Sequence, residues 1–173
     1  MIDLETFGTQ PGSVIKAIGA VAFNTAHGIY DSFYERINVQ SCLDAGLTID
    51  WNTIEWWMTQ PDEARSEMVK PGELLSDVLW SFSAWVTKFR TTVGVWGNGA
   101  SFDNSLLCVA YDKIPNSFLP WKYSEDRCYR TMKNMFPAIT HERTGTHHNA
   151  LDDARYQAEH LIKILNHINE RIA

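Results

Sequence analysis

Four carboxylates and a histidine lie in three well-separated pieces of this sequence: Asp3-Leu4-Glu5, Phe102-Asp103 and His148-Asn149-Ala150-Leu151-Asp152-Asp153. Carboxylates drawn into one place repel one another unless a cation neutralises them, so pieces that converge make a site for divalent metal ions. Hard oxygen ligands with no cysteine among them suit Mg2+ or Mn2+ better than zinc. Without such a partner, an acidic pair in an otherwise apolar strand is costly.

The spacing within each piece supports convergence. In an extended strand alternate side chains share a face, so Asp3 and Glu5 point together while Ile2 and Leu4 point away. His148 ends a polar loop. Asp153 falls in the first turn of a helix, where the positive end of the helix dipole favours an anion. Only Met1 and Ile2 precede the first acid. Chain ends fray unless tied into a sheet, so either this strand is central and well paired or native residues precede Met1.

Hydrophobic period and turn residues outline the elements that must position these groups. Residues 2–5, 14–23 and 29–37 read as three strands of a meander, with turns at Gly8 to Gly12 and at Gly28. A helical stretch follows from about Ser41. Asp50 is a plausible N-cap for a helix over 51–59, Pro61 opens another through about Val69, and Pro71 precedes a long one over 72–89. A buried strand is expected over 92–96, then a turn at Gly97-Asn98-Gly99 and a helix over 102–111. A short last strand at 123–125 leads into a helix over about 126–135. The polar stretch 137–147 reads as a mobile loop beside the site. Leu151, Ala154, Ala158, Leu161, Leu165, Ile168 and Ile172 give the last helix one apolar stripe at alternating spacings of 3 and 4. Asn149 is its expected N-cap. Asp152, three residues on, is expected to complete a capping box rather than to bind metal. The sum is an α/β fold: a mixed five-stranded sheet, its first three strands antiparallel, with helices on both faces.

Composition narrows the class. The 173 residues, 45% of them hydrophobic and without a biased segment, suffice for one globular domain with a full core. No apolar run of about 18 residues or signal-like start appears, so neither secretion nor membrane spanning is expected. Cys42, Cys108 and Cys128 are odd in number and widely spaced, which suggests reduced cytoplasmic thiols. The net charge of -6 argues against gripping long duplexes by bulk charge, though a basic rim of His141, His147, Lys122, Arg127, Arg130 and Arg143 could line a phosphate path. Adjacent helical residues are about 100° apart, so Trp56 and Trp57 face differently. Trp57 aligns with Ile54 and Met58 as core, leaving Trp56 for a substrate or subunit surface.

The three pieces, in order, resemble the motifs of the DEDD exonuclease superfamily of the ribonuclease H-like fold, in its histidine-bearing DnaQ-like (DEDDh) branch. Ile2-Asp3-Leu4-Glu5-Thr6 is similar to the first motif, Asn98-Gly99-Ala100-Ser101-Phe102-Asp103 to the second, and His148-x-Ala150-x-x-Asp153 to the third. Trp56-Trp57, Gln60 and Ala64-Arg65 further resemble a phage and bacterial group described as exodeoxyribonuclease VIII-like or 3'-5' exoribonuclease-like. The resemblance implies a single exonuclease domain over 1–173. It would use two Mg2+ or Mn2+ ions to hydrolyse single-stranded DNA or RNA from a free 3' end, releasing nucleoside 5'-monophosphates. It implies that Asp3, Glu5 and Asp153 hold the ion that activates water, and that Asp3 with Asp103 holds a second at the leaving 3'-oxygen. His148, with a pKa near neutrality, is better placed as general base than as ligand. Thr6, Phe7, Asn98 and Phe102 fall on the substrate side, with the Thr6 backbone and Glu5 at the 3'-hydroxyl and Phe7 against the last base. Several relatives are dimers, so a homodimer is compatible with the resemblance. A silent nucleic-acid-binding domain of the same fold and a metal-dependent endonuclease are the competing functions. The intact acids and His148 count against the silent one.

Overall fold

The apolar run after Gly12 forms the longest strand, and it pairs on both sides. The computed structural model describes residues 1–89 and 94–172. Strands β1 (Ile2–Thr6), β2 (Ile15–Asn24) and β3 (Gly28–Arg36) make an antiparallel meander with β2 in the middle. β4 (Val95–Gly97) runs parallel to β1, and β5 (Asp126–Cys128) parallel to β4, giving the order β3-β2-β1-β4-β5. β1 is therefore the central strand, and all of its residues are buried. Of the strand expected over 92–96, Thr92 and Val93 lie outside the described residues.

Helices cover both faces of this sheet, as the element order suggests. On one face Ile2, Leu4, Ile18 and Ala20 meet Leu79 and Phe82 of α4 (Leu75–Thr87) and Leu106 and Leu107 of α5 (Asp103–Lys113). On the other, Met1 and Val21 meet Tyr129 of α6 (Tyr129–Met135) and Ala154, Ala158 and Leu161 of α7 (Ala150–Ile172). Three shorter helices, α1 (Val39–Asp44), α2 (Trp51–Met58) and α3 (Asp62–Val69), link the meander to α4. Asp50 caps α2 as expected, accepting from the Asn52 amide at 3.0 Å. Among the described residues no helix is long and apolar enough to cross a membrane.

The placement of α7 depends on small side chains. Asp3 pairs with Gly19 and Glu5 with Ala17, so the two acids share a face with residues that take up little room. A Cβ on Gly19 would lie 2.1 Å from the Ala150 carbonyl carbon and 2.3 Å from the Leu151 nitrogen. The first turn of α7 thus rests on the sheet backbone beside Asp3.

Several boundaries differ from the sequence expectation. Residues Tyr123–Glu125 form a 3-10 turn and the last strand follows at Asp126–Cys128, because Asp126 is drawn to the sheet edge by the Asn104 amide at 2.6 Å and the Trp121 indole at 2.8 Å. α4 starts at Leu75 rather than Gly72. Glu73 is held as extended chain between the Arg36 carbonyl and the Asn38 amide, and a Cβ on Gly72 would strike the Arg36 backbone at 2.5 Å. Met58 is exposed, since one residue beyond Trp57 it is turned about 100° away. The buried face of α7 takes in Asp153, Gln157 and Ile164, while Ile172 is exposed.

Asn149 caps α7 as expected, accepting from the Leu151 and Asp152 amides at 3.1 and 3.2 Å. Asp152 does not complete a capping box. Its carboxylate, one methylene shorter than that of the usual Glu, accepts from the Thr146 amide at 2.8 Å and so ties down the preceding loop.

A Gly19→Ala substitution should therefore cost about 1–3 kcal/mol of stability in denaturant unfolding, the range for overpacking. Wild-type stability in this variant would show that the helix can stand off the sheet.

Candidate active site

Asp3, Glu5 and Asp153 converge where the sequence pattern said they would. One ligand atom from each lies within 4.8 Å of the others. Asp3 and Glu5 come from one face of β1 and Asp153 from the first turn of α7. Asp103 enters at the first turn of α5, only 2% exposed. Gly97 on β4 makes room for it, since a Cβ there would come within 2.9 Å of Asp103 Oδ2 and 2.5 Å of Asn104 Oδ1.

Burial and mutual repulsion dominate the electrostatics. Burial, then the charges of Asp103 and Glu5, hold the Asp3 carboxyl well above the usual carboxylate range. Burial and Asp103 push Glu5 up to about 8. Burial raises Asp103 to about 7, although the backbone at Asn98 and Leu4 and the Arg130 guanidinium pull it the other way. Glu5 Oε1 and Asp103 Oδ2 are buried with no hydrogen-bond partner. Buried acceptors without donors, on acids that repel each other, are the donor set that a hard divalent ion satisfies. These residues fit Mg2+ or Mn2+.

His148 stands apart from that cluster. Its ring packs edge-on against Trp56 and Trp57, with centroids 5.0 and 5.7 Å away, and its backbone φ is 60°. Burial, followed by the charges of His147 and Arg143, lowers its pKa, so the imidazole is neutral near pH 7. Trp57 is core, as expected, and its indole N–H donates to the Thr6 carbonyl at 2.9 Å. Trp56 is 44% exposed, its ring roughly perpendicular to that of His148.

The substrate-side residues divide. Thr6 is buried, and its hydroxyl donates to the Gly8 carbonyl at 2.7 Å, so its side chain is committed to the turn. Phe7 is half-buried against Trp57, Ala64 and Met68. Asn98 is half-buried in the turn after β4, and its backbone borders Asp103. Phe102 packs on the main core and N-caps α5. Of the basic rim, Arg143 reaches the cluster as an ion pair with Asp153, and Arg130 approaches Gly99. His141 instead pairs with Glu159 at 2.9 Å, and Arg127 donates to the Ser124 carbonyl at 2.8 Å.

Gln157 is the site residue that the motifs do not include. It is 4% exposed, and its amide donates to Asp3 Oδ1 at 2.6 Å. Its signal in the sequence is position alone: four residues after Asp153, it shares the same helix face.

The profile of a family described as the Rv2179c-like 3'-5' exoribonuclease domain matches residues 1–165. The chain belongs to this family. Its fold is ribonuclease H-like. Among solved structures it is similar to cell-death related nuclease 4 (CRN-4), with a TM-score of 0.55 and 13% identity. That match covers 96% of this chain but 62% of the CRN-4 chain, so the similarity is one of fold. No curated protein sequence matches.

Two outcomes follow from the geometry. Because the folded carboxyls bind protons more tightly than unfolded ones, they stabilise the metal-free fold at acid pH. That contribution is lost as pH rises from about 4.5 toward about 8. Mg2+ favours the ionised acids, so it should raise the thermal midpoint more at pH 8 than at pH 6; an equal rise at both would contradict the cluster's role. Replacing Gln157 by Leu should weaken Mg2+ affinity about 10-fold or more in calorimetry, the range for groups that orient metal ligands. Unchanged affinity would make Gln157 a packing residue only.

Proposed function

We propose that this chain acts as one metal-dependent exonuclease domain that removes nucleoside 5'-monophosphates from the 3' end of single-stranded nucleic acid. RNA is the substrate favoured by the family's description. The observation that carries the reading is the convergence of Asp3, Glu5 and Asp153, with Asp103 buried beside them. Divalent ions held by these four acids would supply Lewis-acid activation of water and neutralise charge on the phosphodiester. His148 takes the proton from the attacking water, and a neutral imidazole is in the right state to do so. It stands on the loop before α7, and closure of that loop over a bound strand end would couple proton abstraction to substrate. The Thr6 backbone and Glu5 meet the terminal 3'-hydroxyl, and Phe7 and the exposed part of Trp56 offer base-tolerant apolar surface. Asn98 and Phe102 keep Asp103 seated beside β1.

The test is a 5'-labelled single-stranded oligonucleotide, as RNA and as DNA, incubated with Mg2+ or Mn2+. A ladder shortening from the 3' end supports the proposal, with RNA shortened faster. Internal cuts or binding without cleavage would overturn it. His148→Ala should lower turnover by about 100-fold or more, the range for loss of a general base, with Mg2+ affinity nearly intact. Loss of metal binding in that variant would assign His148 to the metal instead.

A further inference from the structure

Arg143 is the cation that this acidic site already holds. Its guanidinium forms an ion pair with Asp153 and lies over the Tyr156 ring, 5.2 Å from the centroid. Its charge also opposes the upward push on Asp3 and Glu5. The arrangement leaves donors unused, for the Nε–H is buried without an acceptor. A guanidinium presents five N–H donors in a fork that matches the oxygens of a phosphate as well as those of a carboxylate.

A divalent ion on Asp153 changes this balance. Like charges a few ångströms apart repel strongly in a partly buried site, so the ion and the guanidinium compete for one carboxylate. Tyr156 lies three residues beyond Asp153 on α7, and its ring attracts the guanidinium without needing Asp153's charge. A cavity of about 390 Å³ lined by Lys133, His141, Tyr156 and His160 opens beside that ring.

We propose that Arg143 is a phosphate-binding residue of this site, which competes with divalent ions for Asp153 and passes to a phosphate of the nucleic acid when those ions take the carboxylates. The identity of the anion rests on the exonuclease reading; the competition with metal does not.

The test is calorimetry on the full chain as wild type, Arg143→Gln and Arg143→Lys, first with Mg2+ alone and then, with Mg2+ present, with a nucleoside 5'-monophosphate. Arg143→Gln should bind Mg2+ about 5- to 10-fold more tightly, a coupling of ordinary size. It should bind the nucleotide about 10-fold more weakly, as expected for losing a charge-assisted bidentate contact. Arg143→Lys keeps the charge and should restore near-wild-type Mg2+ affinity with nucleotide binding still weakened. Unchanged or weaker Mg2+ binding in Arg143→Gln overturns the competition, and unchanged nucleotide binding overturns the phosphate role. A wild-type protein that binds Mg2+ and nucleotide but shortens no oligonucleotide counts against the exonuclease reading, and the two affinities still decide the role of Arg143.

Discussion

Gly19 has no side chain, and the first turn of α7 stands in the space that one would fill. That contact lies opposite Asp3 in the sheet register, so it sets how closely Asp153 approaches the two acids of β1. The approach is opposed by repulsion and by desolvation, which costs several kcal/mol for each buried ion. Apolar packing of Met1 and Val21 against Ala154, Ala158 and Leu161 works against that cost. The site is therefore a strained charge arrangement held by an ordinary core, and a divalent ion there would relieve what the core only contains.

Much of this is legible in the sequence. The meander, the shared face of Asp3 and Glu5, and the caps at Asp50 and Asn149 are local features, set by a two-residue period and by side chains reaching neighbouring amides. What stayed hidden depends on partners distant in the chain. Gly19 reads as one small residue in an apolar strand until Ala150 is found against it. Gln157 reads as a polar residue on a helix, and only Asp3, 154 positions away, gives it a role. The last strand lies three residues beyond its expected place because Asn104 and Trp121, outside the local window, capture Asp126. Asp152 caps the loop rather than the helix because its side chain is too short for the reciprocal bond.

The loop between α6 and α7 joins these parts. Its beginning is tied by His160, whose Nε2–H donates to the Ile139 carbonyl at 2.7 Å while Nδ1 accepts from the Tyr129 hydroxyl. Its end is tied by Asp152 and Asn149. Between those anchors the loop carries Arg143, seated on the acids, and His148, seated on the tryptophans with a left-handed backbone uncommon outside glycine. The acids thus stand on the sheet and on helix starts, while Arg143 and His148 stand on a loop held by side-chain contacts.

A crystal grown with Mn2+ and measured for anomalous scattering decides whether the four acids form a cation site. Anomalous density is expected in contact with Asp3, Glu5 and Asp153, with Asp103 bordering it directly or through water. Fully occupied Mn2+ elsewhere, with these carboxylates left without an ion, would contradict that assignment.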